Sequence, residues 1–115
     1  MEYVVAILSA LSDPVRLRAL ALLSRKGELC VCELTQALQV SQPTVSKQMG
    51  TLREAGLVKV RRDAQWVLYS LSDDLTDWAA KTVAAVLEGL RATQGHEDDV
   101  GRLGDMRRPD RRRSA

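Results

Sequence analysis

Two apolar stripes at helical spacing stand on either side of the dipeptide Gln39-Val40, and this is the tightest constraint in the 115-residue chain. Before the dipeptide, Val31, Leu34 and Leu38 form one stripe. After it, Val45, Met49 and Leu52 recur at i, i+4 and i+7. Ser41 is placed to cap the second helix, Pro43 falls in its first turn, and Gly56 suits the position just past its end, which predicts a helix over 42–54. Two helices joined by so short a turn must pack against each other. Downstream the period changes to two. Val58 and Val60 share one strand face, and across 66–71 Trp66 and Leu68 oppose Val67, Tyr69 and Leu71. Arg62-Asp63-Ala64-Gln65 connects the two runs as a hairpin. Helix, tight turn, helix and basic hairpin together predict a mainly α fold with a small β-hairpin, a winged helix-turn-helix.

The flanking segments fit around that unit. Val4, Ile7, Leu8 and Leu11 make a stripe on a short helix over 3–11. Ser12 or Asp13 caps the next helix, with Pro14 at its first position. From Pro14 to Leu23 only Arg16 and Arg18 are polar, so this helix belongs in the middle of the domain, and Gly27 ends it. Ser72 or Asp73 is expected to cap a long helix running to about Leu90, with a stripe of Leu75, Trp78, Ala79, Val83, Val86, Leu87 and Leu90. With two Trp, two Tyr and no Phe, the core must rest on Leu, Val and Ala. A core that small gains from burying further surface in a partner, so dimerisation through the N- and C-terminal helices is expected. Residues 1–92 read as one DNA-binding and dimerisation domain. Residues 93–115 are polar, contain Gly95, Gly101 and Gly104, and carry five arginines among 107–113, so a disordered tail is expected there. No apolar run reaches about 18 residues, which argues against a membrane span, and no basic stretch precedes an apolar one at the N-terminus. A cytoplasmic location is expected.

Charge is concentrated where the motif lies. Residues 41–62 hold Lys47, Arg53, Lys59, Arg61 and Arg62 against Glu54 alone, a net +4 in a chain whose total is +2. Such a segment suits phosphate tracking. With Val45, Met49 and Leu52 inward, 100° steps place Pro43, Lys47, Gly50 and Thr51 outward, with Thr44 and Ser46 beside them. Gln can bond adenine edges, Ser and Thr can serve bases or phosphates, and Lys can reach guanine or phosphate. The expected DNA-contacting set is Ser41, Gln42, Thr44, Ser46, Lys47 and Gln48 on the helix, with Arg61 and Arg62 on the hairpin. Each alone is an ordinary wet surface residue; the layout is what gives them a role. The partner expected is double-stranded operator DNA, gripped by a homodimer.

The two cysteines are Cys30 and Cys32, in Glu28-Leu29-Cys30-Val31-Cys32-Glu33-Leu34. Together with Asp13-Pro14-Val15-Arg16-Leu17-Arg18, Ser41-Gln42-Pro43-Thr44-Val45-Ser46 and Leu52-Arg53-Glu54-Ala55-Gly56-Leu57-Val58, this box resembles the ArsR/SmtB repressors, and most nearly their arsenic-responsive branch. The resemblance covers about residues 5–90. It implies a dimeric winged-helix repressor without a constitutive cofactor, released from its operator when As(III) or Sb(III) binds Cys30 and Cys32. Thiolates are soft ligands and suit such ions. In the first turn of a helix their pKa is expected to fall through the helix dipole. At i, i+2 the two side chains stand about 200° apart on a regular helix, so one ion joining both is expected to unwind that turn. Close relatives carry a third cysteine where this chain has Thr35. The zinc-binding branch uses Asp and His on the last helix; Asp77 is present here, but the sole histidine, His96, falls in the polar tail as a solvated residue. A redox or other soft-metal sensor of the same fold and a non-sensing DNA-binding protein are the alternatives. An enzyme is disfavoured: no nucleophile has an evident paired base and no Gly-rich phosphate loop is present.

Overall fold

Asp13 and Pro14 start the helix around which the rest is arranged. In the computed structural model, which describes residues 1–105, the elements are α1 (Glu2–Ala10), α2 (Pro14–Lys26), β1 (Glu28–Cys30), α3 (Val31–Leu38), α4 (Gln42–Glu54), β2 (Val58–Asp63), β3 (Trp66–Leu71), α5 (Asp77–Arg91) and α6 (Gln94–Asp105). The Asp13 carboxylate accepts from the Arg16 N–H at 3.0 Å, and Pro14 follows at the first helical position. Ala19 to Leu23 of α2 are all buried, and α3, α4, α5, α6 and β3 pack around this helix. Gly27 ends it at φ +87, a backbone region open to glycine without strain.

Helices α3 and α4 form the helix-turn-helix. Gln39 makes the turn at φ 60 and ψ 40, its N–H reaching back to Thr35 O at 3.1 Å. Leu34, Leu38, Val45, Met49 and Leu52 are buried in one core with Leu20, Leu22 and Leu23. The hairpin pairs Val58 with Leu71 through to Asp63 with Trp66, so only Ala64 and Gln65 form the loop.

Three features depart from the sequence expectations. First, the hairpin has a third strand. β1 pairs antiparallel with β3, Cys30 opposite Leu68, giving the order β1-β3-β2. Second, the long helix begins at Asp77 after Thr76, later than the Ser72 or Asp73 start expected. Ser72 is instead held by a bond from its N–H to Leu57 O at 3.0 Å. Third, residues 94–105 are helical and packed, contrary to the disorder expected from residue 93. His96, Asp99 and Leu103 are buried, His96 to 3% exposure, so His96 is no solvated tail residue. The cause is specific pairing. Arg18 donates from Nε and Nη2 to the Asp99 carboxylate at 3.0 and 2.8 Å, and Arg102 donates to it from the same helix. The same two guanidiniums also reach Leu38 O (2.9 Å) and Ala37 O (2.7 Å), carbonyls at the end of α3. Asp99 also holds the Arg18 pKa above its usual value. The five arginines among 107–113 lie outside the described residues.

Candidate nucleic-acid interface and thiol pair

Helix α4 is presented as the sequence requires. Ser41 caps it, accepting from the Thr44 N–H at 3.3 Å while its hydroxyl donates to Thr44 Oγ1 at 2.9 Å. Gln42, Ser46 and Lys47 are exposed, and Thr44 is half-buried. Gln48 differs from expectation. It is half-buried on the flank of the helix, and its Oε1 accepts from Arg16 Nη1 at 2.6 Å. On the hairpin, Arg62 is exposed, but Arg61 forks onto Glu28 of β1 at 2.7 and 2.8 Å. That carboxylate raises the Arg61 pKa. Lys59 is likewise paired with Asp73 and Asp74. Two of the five cations of the basic segment are thus partnered by acids from outside it. None of the ion pairs among the described residues involves Lys47, Arg53 or Arg62. Exposed pairs of this kind contribute little and can exchange for phosphate.

The thiols sit differently from the expectation of two cysteines on one regular turn. Cys30 is the N-cap of α3, with extended φ −83 and ψ 164, and only Cys32 lies within the helix. A capping box holds this end: the Glu33 N–H donates to the Cys30 sulfur, and Glu33 Oε1 accepts from the Cys30 N–H at 3.0 Å. Because Cys30 precedes the helix, the angular separation of a regular turn does not apply, and Cys32 lies close enough to act on the Cys30 thiol. Cys30 is buried to 1% exposure, whereas Cys32 is exposed. Burial, and then the neighbouring Cys32 thiol, push the Cys30 thiol up to about 12. The expected lowering by the helix dipole is overridden by desolvation.

A cavity of about 200 Å³ opens beside the pair, lined by Val31, Gln42, Gln65, Trp66 and Val67 as well as the thiols. It brings together the two thiols, the first residue of α4 and the loop of the hairpin. Sequence reasoning missed Gln65 and Trp66 here, because their approach depends on β1 joining β3. Thr35 is half-buried, and its hydroxyl has no hydrogen-bond partner among the described residues. Among those residues no cluster of three His, Cys, Asp or Glu side chains forms. Asp77 is exposed at the start of α5 and pairs with Lys81 at 3.7 Å.

Residues 13–60 match the family described as bacterial regulatory protein, arsR family. The chain is 45% identical over 84 residues to the arsenic resistance transcriptional regulator ArsR1 of Pseudomonas putida, covering 73% of this chain and 62% of that relative's length. It is 39% identical over 100 residues to ArsR2 of the same organism, covering 87% of this chain and 85% of the relative. Among solved structures, the homodimeric winged helix-turn-helix DNA-binding domain of a possible ArsR-family transcriptional regulator from Mycobacterium bovis superposes with a TM-score of 0.66. That match has 26% identity and covers 81% of this chain and 82% of the other. The chain belongs to the ArsR family of bacterial regulatory proteins, which are DNA-binding transcriptional repressors of the winged-helix fold and not enzymes.

Proposed function

We propose that the chain is a homodimeric, cytoplasmic repressor that binds operator DNA and leaves it when arsenite or antimonite joins Cys30 and Cys32. The observation that carries this reading is the thiol pair itself. Both cysteines border one cavity that also touches Gln42 of the recognition helix and Gln65 of the wing. Ser41, Gln42, Thr44, Ser46 and Lys47 contact the major groove, and Arg62 contacts the backbone beside it. Arg61 joins them when phosphate replaces Glu28. Gln48 holds Arg16 and reads no base.

The chemistry balances without an outside reagent. Arsenous acid exchanges two of its hydroxyls for the two thiols, forming two As–S bonds and releasing two waters, and one hydroxyl stays on arsenic. The new bonds fix both sulfurs to one atom and strain the capping box at the start of α3, which shifts the helix-turn-helix away from its DNA-bound geometry. Dimerisation uses α1, whose Tyr3, Val4, Val5 and Leu8 are exposed. Tyr3 packs edge-on against Trp78 of α5 at 5.6 Å, so α5 adjoins the apolar face of α1. The solved relative from Mycobacterium bovis is homodimeric, which supports this.

Arsenic X-ray absorption on arsenite-loaded protein tests the site. Two sulfurs and one oxygen around arsenic are expected. Three sulfurs would show that a third thiol is recruited and overturn the two-thiolate site; oxygen alone would remove both cysteines from sensing.

A further inference from the structure

The motif Asp13-Pro14-Val15-Arg16-Leu17-Arg18 puts two arginines in the otherwise apolar stretch from Pro14 to Leu23 of α2, and Arg18 is accounted for by Asp99. Arg16 has a different set of partners. Its Nε donates to Ala10 O at 2.7 Å and its Nη2 to Ser9 O at 3.1 Å. Its Nη1 donates to Gln48 Oε1 at 2.6 Å. The two carbonyls stand at the end of α1, where a helix leaves such groups without their usual partners and where a cation is favoured. Gln48 belongs to α4. One planar, rigid group therefore ties the end of α1 to the flank of the recognition helix. Side-chain packing does not close the space beside it. A groove of about 290 Å³ lies there, lined by Ala6, Ser9 and Ala10 on one side and Thr51, Glu54 and Ala55 on the other.

We infer that Arg16 is a positioning residue that fixes where α4 stands relative to α1, and through it the spacing of the two recognition helices in a dimer. This rests on the reading of α1 as a dimer face and α4 as the DNA-reading helix. A two-fold dimer recognises half-sites whose separation matches that of its recognition helices, about 34 Å for one turn of DNA. A dimer joined through α1 transmits its geometry to each α4 across this link. Gln48 serves as the receiving end, which explains why its carbonyl oxygen faces inward.

The test is fluorescence anisotropy on three kinds of DNA: the operator upstream of the protein's own gene, versions with base pairs added or removed between its half-sites, and unrelated DNA. Sedimentation of the same samples reports the oligomeric state. Arg16→Gln and Gln48→Met are compared singly and together. Each should remain dimeric and keep its affinity for unrelated DNA. Each should lose about tenfold of its preference for the native spacing, the effect expected of one hydrogen bond to a charged group. The double variant should be no worse than the poorer single, since both break the same link. Gln48→Glu, whose carboxylate accepts the same bond, should retain the preference. An unchanged spacing preference in Gln48→Met, a half-buried site where folding is not at stake, overturns the inference. So does an equal loss on unrelated DNA, which would make Gln48 a DNA contact. If the unaltered protein is monomeric or does not distinguish operator from unrelated DNA, the functional reading itself fails and takes this one with it.

Discussion

At Cys30 the protein keeps a thiol protonated well above neutrality, its pKa pushed up to about 12, because the group is buried and stands beside Cys32. This selects among ligands. A divalent cation must displace the proton into solvent, so its binding is penalised by a raised pKa. Arsenous acid carries hydroxyls that take the proton away as water, so it escapes that penalty. Cadmium affinity should therefore rise by about tenfold per pH unit for each proton released, while arsenite affinity stays level between about pH 6 and 8. Calorimetric titrations at several pH values check this, and parallel slopes for the two ligands would contradict it. The sign for stability follows from the same shift. The folded state favours the neutral thiol, a stabilisation present below the ordinary thiol range and lost as pH climbs through about 12. The expectation of an acidic thiol failed because the dipole argument took no account of burial, which pattern in the sequence does not reveal for a residue just outside a helix.

At the level of elements, the helix-turn-helix and the hairpin were legible because each presents a clean period: Val45, Met49 and Leu52 on one, Val58 and Val60 on the other. Strand β1 was not, since three residues carry no period, and its pairing with β3 is a tertiary choice. Helix α6 hid for another reason. Its inward stripe of His96, Asp99, Val100 and Leu103 has helical spacing, but two members are polar: Asp99 becomes acceptable inside through Arg18 and Arg102, while the His96 ring is buried with no hydrogen-bond partner among the described residues. Asp99→Ala should cost about 2 kcal/mol or more, since it strips a buried acceptor from two guanidiniums that are themselves about a third exposed. Denaturant unfolding measures the loss, and hydrogen exchange should rise at the Gln39–Val40 turn, where Arg18 and Arg102 hold the last carbonyls of α3. The turn also holds strain. Gln39 sits at φ 60, unfavourable for a side chain with a Cβ, so Gln39→Gly should stabilise the fold by about 0.5–1 kcal/mol. A neutral or destabilising result in thermal unfolding would show that the Gln39 side chain contributes more than its backbone costs.

For the whole molecule, α2 is the part to which the others are referred. Its buried face carries the core, Arg16 links α1 to α4, and Arg18 links α3 to α6. The proposed dimer face, the proposed DNA-reading helix and the thiol pair are therefore all tied to one element. The thiols were identifiable from their box and the DNA face from its helical wheel. The cavity that joins them was not, because Cys30, Gln42 and Gln65 come from three segments that meet only when the sheet forms. Placing a charge in the exposed apolar face tests the assembly. Leu8→Glu, at a position half exposed in the single chain, should yield a folded monomer in sedimentation with operator affinity at least about tenfold weaker, since half the contacts are lost. A stable dimer would move the interface elsewhere.

The proposed function stands on the release of the protein from DNA by arsenite at Cys30 and Cys32. Anisotropy of the reduced protein on labelled operator DNA, titrated with arsenite, alongside Cys30→Ser and Cys32→Ser, measures that release. Dissociation of the unaltered complex, with both variants remaining bound throughout the titration, is the predicted result. Release that persists in either variant, or a complex that ignores arsenite altogether, would contradict it.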